Sequence, residues 1–348
     1  MPIVDQSDKA LLKRYDDFIK NSKYAVATQD IGWSHVKKGW NSELVYIEEN
    51  GNIIAAMSII IRELFLGYSI LYAPRGPVCD INDIELVMRL LAEADSVAKK
   101  HKGFLLRFDP EVPYDSELEK LYQSRGIIIR NKEFGRELIQ PVLNMILDIE
   151  NKTIDDLMAE FSEKTRYNIR LSQRKGVTVR YSRDKEDLKT FCSLYSITAE
   201  RDKIGMRSLD YFERMLEAYD ESHLRVYIAE HEGTPLSGAI ALCYGKKMWY
   251  IYGASSNEKR NLMPNYAMQL EMIKWGIENH CSIYDFGGVF ELNKDNGLYK
   301  FKEGFCRQNG VTEFIGEFDK VYNKFIYFIF TKVVPKIKSI RKSFKKAK

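Results

Sequence analysis

The chain of 348 residues has little that would support metal or disulfide chemistry. Its five cysteines are scattered, and no two of them stand in a C-x-x-C spacing. Its five histidines form no H-x-H or H-E-x-x-H motif. This usage indicates a reduced, cytosolic protein whose cysteines serve as small apolar residues, and it predicts no metal site. No cofactor is expected either.

Long hydrophobic runs are also missing. The N-terminus MPIVDQSDKA has no basic region followed by an apolar core, so no signal peptide is predicted. The apolar stretch 325–330 is far too short to cross a bilayer. Acidic residues are absent from 332–348, which holds eight Lys or Arg, and the rest of the chain has a net charge near −4. Any anion site in the body of the protein must therefore be local.

Two segments repeat one order of predicted elements. VYIEENGNIIAAMSI begins at Val45 and VYIAEHEGTPLSGAIA at Val226, and each reads as an alternating strand, an acidic turn with glycine and a second strand. A further strand, an amphipathic helix and a buried strand follow in both copies. The order β-β-β-α-β therefore occurs twice, and it predicts two homologous α/β domains with mixed sheets flanked by helices.

The domain boundaries follow from this repeat. The region around Pro141 is the predicted junction. We expect a first domain over residues 1–145, completed by a C-terminal helix over 320–348, and a second domain over 146–319. Residues 332–348 form a basic tail.

This order of elements is similar to the plan of the acyl-CoA N-acyltransferase (GNAT-like) fold. In that fold a glycine-rich turn before a helix offers bare backbone N–H groups to the pyrophosphate of CoA. The corresponding turns here read APRGPVCDINDIE and SSNEKRNLMPNYAMQ. Neither spaces its glycines suitably, and Pro264 has no N–H, so the sequence argues against CoA as the acyl donor.

Seven short motifs, in order along nearly the whole chain, resemble the Fem peptidyltransferases (FemA, FemB, FemX). They are QDIGWSHVKKGW, FLLRFDPE, FSEKTRYNIRLSQRKGV, ERDKIGMRSLDYF, YIYGASS, YDFGGV and GLYKFKEGF. The resemblance implies two tandem GNAT-like domains. Several family members carry a long helical arm in the second domain, and residues 184–223 leave no room for it. The chain therefore looks closest to FemX-type members that lack the arm.

The resemblance implies an enzyme that builds the interpeptide bridge of peptidoglycan. It would transfer Gly, Ala or Ser from aminoacyl-tRNA to the side-chain amine of the third stem residue, on lipid II or UDP-MurNAc-pentapeptide. A lysine-like amine has a pKa of about 10.4 and must lose a proton before it attacks. The tetrahedral intermediate then needs a fixed cation or N–H at its oxyanion. A CoA-dependent N-acyltransferase and a non-catalytic tRNA-binding homologue are the alternatives.

Two residues are the expected catalytic groups. Lys302, in GLYKFKEGF, reads by itself as a solvated loop lysine, but the resemblance implies that it stabilises the oxyanion, with Phe301 beside it in the donor channel. Lys300, on the opposite side of that loop, is expected to matter less. Asp109, in RFDPE, reads by itself as a turn starter. The resemblance implies that Asp109 holds and deprotonates the acceptor amine.

Four further residues are expected to bind the acceptor: Lys37, Arg207, Tyr211 and Tyr252. By itself Lys37 fits a solvated helix face, Tyr252 an ordinary core position, and Arg207 with Tyr211 a helix-surface pair. The resemblance implies that they surround the precursor, whose diphosphate calls for lysine and for the forked guanidinium of arginine.

Two basic segments could meet anionic partners. Arg166, Arg170 and Arg174 form a stripe at four-residue spacing, which fits either a solvated helix face or contact with tRNA phosphates. Residues 325–348 alternate apolar and basic side chains. They fit a disordered tail, a tRNA contact or an interfacial anchor at the inner face of the cell membrane.

Overall fold

The computed structural model describes residues 3–335. Its strands are Asn41–Glu49 (β1), Asn52–Phe65 (β2), Tyr68–Ala73 (β3), Gly103–Phe108 (β4), Ile128–Arg130 (β5), Leu143–Asp148 (β6), Thr178–Ser182 (β7), Leu224–His231 (β8), Thr234–Tyr244 (β9), Lys247–Ser255 (β10), Ile283–Gly288 (β11), Val311–Glu313 (β12) and Glu317–Val321 (β13). Its helices are Lys9–Asn21 (α1), Gly32–Val36 (α2), Ile84–Lys100 (α3), Ser116–Ser124 (α4), Ile154–Glu160 (α5), Glu163–Arg174 (α6), Lys185–Asp202 (α7), Leu209–Ala218 (α8), Pro264–Glu278 (α9), Gly297–Glu303 (α10) and Lys324–Phe328 (α11). Most of the predicted basic tail, from residue 336 on, lies outside the described residues.

Both copies of the repeat are present in the predicted order, as β1-β2-β3-α3-β4 and β8-β9-β10-α9-β11. One sheet has the strand order β1-β2-β3-β4-β13-β5, and the other has β12-β6-β11-β10-β9-β8-β7. In each repeat the first three strands are antiparallel neighbours, and the fourth is parallel to the third. The predicted fold class, α/β with two mixed sheets flanked by helices, is confirmed.

The chain divides into two compact units. Of the described residues, unit 1 takes 3–18, then Gly39–Glu133, then 315–335. Unit 2 takes Ile19–Lys38 and Phe134–Phe314. The six-stranded sheet belongs to unit 1 and the seven-stranded sheet to unit 2.

Residues 19–38 join unit 2, although the sequence groups them within residues 1–145. Side chains that come much later in the chain hold this segment. The Tyr219 hydroxyl donates to the Ala27 carbonyl at 2.7 Å, and the Arg214 guanidinium donates to the Val36 carbonyl at 3.2 Å. Helix α2 packs on α8, far from it in sequence, and such a pairing leaves no mark in local periodicity.

The C-terminal region adds a strand to the sheet of unit 1, where the sequence predicts a helix over 320–348. Strand β13 pairs with β4 and β5, and the helix begins only at Lys324. The strand is held by a buried ion pair in which Arg107 donates to both oxygens of Asp319 at 2.6 and 2.7 Å. Glu317 adds a second carboxylate to the Arg107 guanidinium at 3.0 Å. Removing one partner of such a buried pair would leave an uncompensated charge and destabilise the fold.

The sheet of unit 2 has a hydrophobic core on each face. Along β9, Ala239, Ala241 and Cys243 belong to one core, with α5, α6 and α9. The alternating residues Ile240 and Leu242 belong to the other core, with α2, α7 and α8. We call these the α9 face and the α8 face. The alternation follows from the two-residue period of a strand.

Candidate active site

The sheet of unit 2 opens between its two central parallel strands. Strands β10 and β11 pair only over Lys247–Trp249 and Ile283–Asp285. Strand β10 then follows β9 as far as Ser255, while β11 turns to pair with β6. Between residues 3 and 335, no further pair joins the two strands, so they diverge and leave what we call the sheet opening. The corresponding strands of unit 1, β3 and β4, stay paired to their ends.

Lys302 lies at this opening. GLYKFKE forms helix α10, not the loop that the sequence suggests, because the Asn296 side chain caps its first turn by accepting from the N–H groups of Leu298 and Tyr299. Lys302 is 5% exposed and donates to the Gly288 carbonyl at 2.9 Å. Lys300 is exposed on the other side of the helix. The two lysines that look alike in sequence are thus separated into one buried and one solvated cation.

Burial lowers the pKa of Lys302 to about 8, and the negative charge of Asp285 partly opposes this effect. The amine is therefore still mainly an ammonium at pH 7. An ammonium has three N–H donors, and the Gly288 carbonyl takes one of them. Lys302 can thus direct a positive charge and an N–H toward an oxygen in the opening, as oxyanion stabilisation requires.

Gly287 keeps the opening clear. A Cβ at this position would lie 3.8 Å from the Lys302 Nζ and 3.9 Å from the Tyr250 carbonyl oxygen. The residue also has a φ of +76°, which favours glycine.

Phe301 packs on the α9 face, 4.9 Å from the ring of Tyr266. Phe301, the residue before Lys302, therefore belongs to the apolar packing between α10 and α9.

A bulge in β10 carries Tyr252 to the opposite face of the sheet. The register to β9 shifts between Tyr250 and Tyr252. Tyr250 packs on the α9 face, whereas Tyr252 packs on the α8 face. Without the extra residue of the bulge, both side chains would point the same way. The strand beside Lys302 thus also presents Tyr252 to the other side of the sheet.

On the α8 face the structure brings together the four residues expected to bind the acceptor. The Tyr252 hydroxyl donates to the Tyr211 hydroxyl at 3.1 Å. The ring of Tyr211 lies 5.5 Å from the Lys37 Nζ and 5.1 Å from the Arg207 guanidinium carbon. Burial, reinforced by the charge of Arg207, lowers the pKa of Lys37 to about 8. Two cations that share one aromatic ring repel each other, and an anion bound between them would relieve that repulsion. We call these four residues the cation–tyrosine cluster.

Trp33 belongs beside this cluster, and our sequence reasoning missed it. The Lys37 Nζ lies 4.8 Å from its ring. Its indole N–H is buried and has no hydrogen-bond partner among residues 3–335. A buried donor without a partner costs free energy, which a ligand oxygen would recover. The sequence could have pointed to Trp33, because it precedes Lys37 by one helical turn and so lies on the same side of the helix.

Asp109 lies in unit 1, directly after β4, and it is 2% exposed. One of its oxygens accepts from the Tyr72 hydroxyl at 2.9 Å, and the other accepts from the Arg75 backbone N–H at 2.7 Å. Burial raises the pKa of Asp109 to about 6, against the opposing charge of Arg75. The carboxyl group therefore titrates just below neutral pH, where a general base works well.

The three arginines of the predicted stripe on α6 differ in their surroundings. The Arg166 guanidinium donates to the Phe161 carbonyl and thereby caps the end of α5. Arg170 and Arg174 are exposed, and exposed Tyr167 lies on the same side of the helix. Arg166 is thus engaged by its own chain, and the free surface is formed by Tyr167, Arg170 and Arg174.

The described part of the chain contains no helix that is both long and apolar enough to span a membrane.

Solved structures define the class of protein. The crystal structure of FemX superimposes with a TM-score of 0.83 at 27% identity, over 94% of this chain and 99% of that one. A tandem GNAT protein from the clavulanic acid biosynthesis pathway has a TM-score of 0.54 at 10% identity, over 92% of this chain and 97% of that one, which shows the fold alone. The two units thus form a tandem GNAT-like protein.

Sequence comparisons define the family. The FemAB family matches residues 12–232 and 227–334, so the chain belongs to the FemAB family. A relative from Weissella viridescens named UDP-N-acetylmuramoylpentapeptide-lysine N(6)-alanyltransferase is 38% identical, over 94% of this chain and 98% of its own length. A relative from Staphylococcus epidermidis named Lipid II:glycine glycyltransferase is 31% identical, over 93% and 95%. The resemblance drawn from the seven motifs is confirmed.

Proposed function

We propose that this protein is an aminoacyltransferase that moves an amino acid from aminoacyl-tRNA to the side-chain amine of a peptidoglycan precursor. The observation that carries the proposal is the buried ammonium of Lys302 at the opening of the unit 2 sheet. The similar relatives are named as transferases that act on such precursors, which supports the same reaction class here. A tRNA donor would restrict the reaction to the cytoplasm.

The two faces of the unit 2 sheet suggest separate binding surfaces for the donor and the acceptor. Lys302 and Phe301 lie with the α9 face, and the cation–tyrosine cluster lies on the α8 face. We assign the α9 face to the donor and the cluster to the diphosphate of the acceptor. The ester carbonyl would sit in the opening, with Lys302 at the oxyanion. In unit 1, Asp109 is our proposed group for holding and deprotonating an amine, because its carboxyl group ionises above a pH of about 6.

A reaction panel tests the proposal directly. The purified protein is mixed with Gly-, Ala- or Ser-tRNA and with lipid II or UDP-MurNAc-pentapeptide. Transfer from one donor to one acceptor identifies the amino acid and the acceptor form together. If a folded protein transfers nothing but binds tRNA, the non-catalytic alternative holds. If acetyl-CoA raises its melting temperature, the CoA-dependent alternative holds.

The cation–tyrosine cluster gives a matched pair of variants. Lys37→Ala should raise the KM for the acceptor by about tenfold or more, because a hydrogen bond to a charged group is lost. Lys38→Ala is the control, since Lys38 is exposed and only loosely paired with Asp210, at 3.8 Å. Because the pKa of Lys37 is about 8, acceptor affinity should fall as the pH rises through that value. Equal KM values for the two variants would mean that Lys37 does not bind the acceptor.

The outer side of α6 is our proposed contact for the single-stranded 3′ end of the tRNA. The helix starts beside α10, because the Ser162 N–H donates to the Gly304 carbonyl at 2.8 Å. With a rise of about 1.5 Å per residue, Tyr167 lies about 8 Å along the helix from Ser162 and Arg174 about 18 Å. A strand leaving the opening along α6 would meet an exposed aromatic ring and then two guanidinium groups. Bases stack on such rings, and phosphates pair with such cations.

Substitutions on α6 test this contact. Tyr167→Ala should weaken tRNA binding by about tenfold through the loss of one base stack, whereas Tyr167→Phe should retain it. Removing Arg170 and Arg174 together should flatten the dependence of log K on log salt by about one to two units. Arg166 is not a useful probe, since its loss would uncap α5. Unchanged salt dependence would mean that Arg170 and Arg174 form only a solvated helix face.

Residues 325–348 are our proposed point of peripheral contact with the inner face of the membrane. Exposed Phe325 and Phe328 stand on α11, next to exposed Lys324 and Lys332. From residue 332 on, the sequence contributes eight Lys or Arg and no acid. Apolar side chains combined with basic ones favour an anionic lipid surface.

A further inference from the structure

The tip of the β2–β3 hairpin in unit 1 carries a leucine where local rules disfavour it. Strands β2 and β3 pair up to Phe65 and Tyr68, which leaves Leu66 and Gly67 as a two-residue loop. Their φ angles are +56° and +72°, as in a type I′ turn. That turn prefers asparagine before glycine, because a branched side chain is strained at a positive φ.

Leu66 is also 81% exposed, more than any other large hydrophobic side chain described as exposed between residues 3 and 335, and Phe325 follows at 71%. The leucine therefore has both an unfavourable backbone conformation and an unfavourable environment. A residue that breaks two local rules without compensation inside the fold points to a role outside it.

The hairpin tip and helix α11 lie on the same side of unit 1. Leu66 and Asn323, the residue that caps α11, line one surface cavity. Beneath them, Phe65 and Tyr68 of the hairpin pack with Ile326 of the helix in one apolar cluster. We call Leu66, Phe325 and Phe328 the hairpin–helix patch.

The surroundings of the patch are basic. Lys99 and Lys102 line the cavity beside Leu66, and Lys324 flanks the phenylalanines. The nearby acid Asp95 is paired with Lys320, and Glu63 is exposed on β2. From residue 336 to the end of the chain, the sequence adds seven Lys or Arg and no acid. An apolar patch rimmed by cations matches the interface of an anionic bilayer, where apolar tips enter and lysines meet phosphates.

We propose that the hairpin–helix patch docks unit 1 on an anionic phospholipid bilayer, with Leu66 as a second insertion point beside Phe325 and Phe328. The inference rests on the proposed function and deepens it, because docking would bring the enzyme to lipid II, the lipid-linked one of its two proposed acceptors. Two separate insertion points also fix the orientation of unit 1 on the surface, which a single tail cannot do.

Leu66→Asn is the decisive variant. Asparagine before Gly67 suits the type I′ turn, so the melting temperature should hold or rise while the apolar tip is lost. Sedimentation of the full chain with phosphatidylglycerol/phosphatidylcholine vesicles should show about tenfold weaker binding, the order expected for one exposed leucine. Leu292→Asn, at an exposed leucine of unit 2, is the control and should bind like the wild type.

The outcomes separate this inference from the proposed function. Transfer to UDP-MurNAc-pentapeptide should be equal for Leu66→Asn and wild type, whereas transfer to lipid II in vesicles should weaken. Vesicle binding without any transfer would contradict the proposed function but would still support the docking inference. The docking inference is overturned if Leu66→Asn binds vesicles as tightly as wild type, or if wild type does not bind them. It is equally overturned if the patch instead holds two copies together, as a dimer that Leu66→Asn dissociates.

Discussion

Lys302→Ala lowers kcat by about 100-fold or more, the loss typical of removing one oxyanion donor. The ammonium is fixed by the Gly288 carbonyl at 2.9 Å and shielded from water, so its charge acts at full strength in the sheet opening. The melting temperature changes little. Burial lowers the pKa of Lys302 to about 8, which means that the fold holds the ammonium at a cost that the substitution removes.

Lys300→Ala is the matched control, and its kcat should stay within about twofold of wild type, as for an ordinary surface substitution. Lys300 stands on the same short helix and carries the same charge, but it is exposed. Steady-state kinetics on the acceptor found in the reaction panel gives both numbers, and calorimetry gives the melting temperatures. Equal losses in the two variants would assign the effect to general charge on α10, and no loss in either would end the assigned role of Lys302.

Asp109→Asn lowers kcat by about 100-fold to 10,000-fold, the range for a positioned general base. The substitution keeps the shape of the side chain. An amide oxygen still accepts from the Arg75 N–H, and the amide nitrogen can donate to the Tyr72 hydroxyl, whose oxygen also accepts. What disappears is the negative charge that we propose holds and deprotonates the acceptor amine. A wild-type kcat in Asp109→Asn would make Asp109 a structural residue of unit 1.

The pH profile of kcat should distinguish the two proposed catalytic residues. Burial raises the pKa of Asp109 to about 6, and the group acts in its ionised form, so kcat should rise as the pH increases through about 6. Lys302 acts as an ammonium, so kcat should fall as the pH increases through about 8. The residual activity of Asp109→Asn should lack the acid limb, and that of Lys302→Ala should lack the alkaline limb. Saturation with both substrates keeps the titration of Lys37 out of these profiles.

The sequence by itself determined the repeat, the fold class and the family. Alternation along VYIEENGNIIAAMSI and VYIAEHEGTPLSGAIA, with a glycine turn in each, is a local pattern that strands dictate directly. Lys302 and Asp109 were found only through the family resemblance, because by themselves they read as a solvated lysine and a turn starter.

Only the tertiary structure decided the surroundings of the proposed site residues. Lys300 and Lys302 are equivalent in sequence, and packing against the unit 2 sheet buries one and exposes the other. Tyr252 reads as a core strand residue, and a bulge, which has no sequence signature here, turns it toward Tyr211. Lys37 and Arg207 come together across about half the chain because α2 packs on α8, and no local periodicity encodes such a long-range contact. Secondary structure follows from the local sequence. The burial of a side chain, its distance from other charges and its pKa depend on which distant segments pack together.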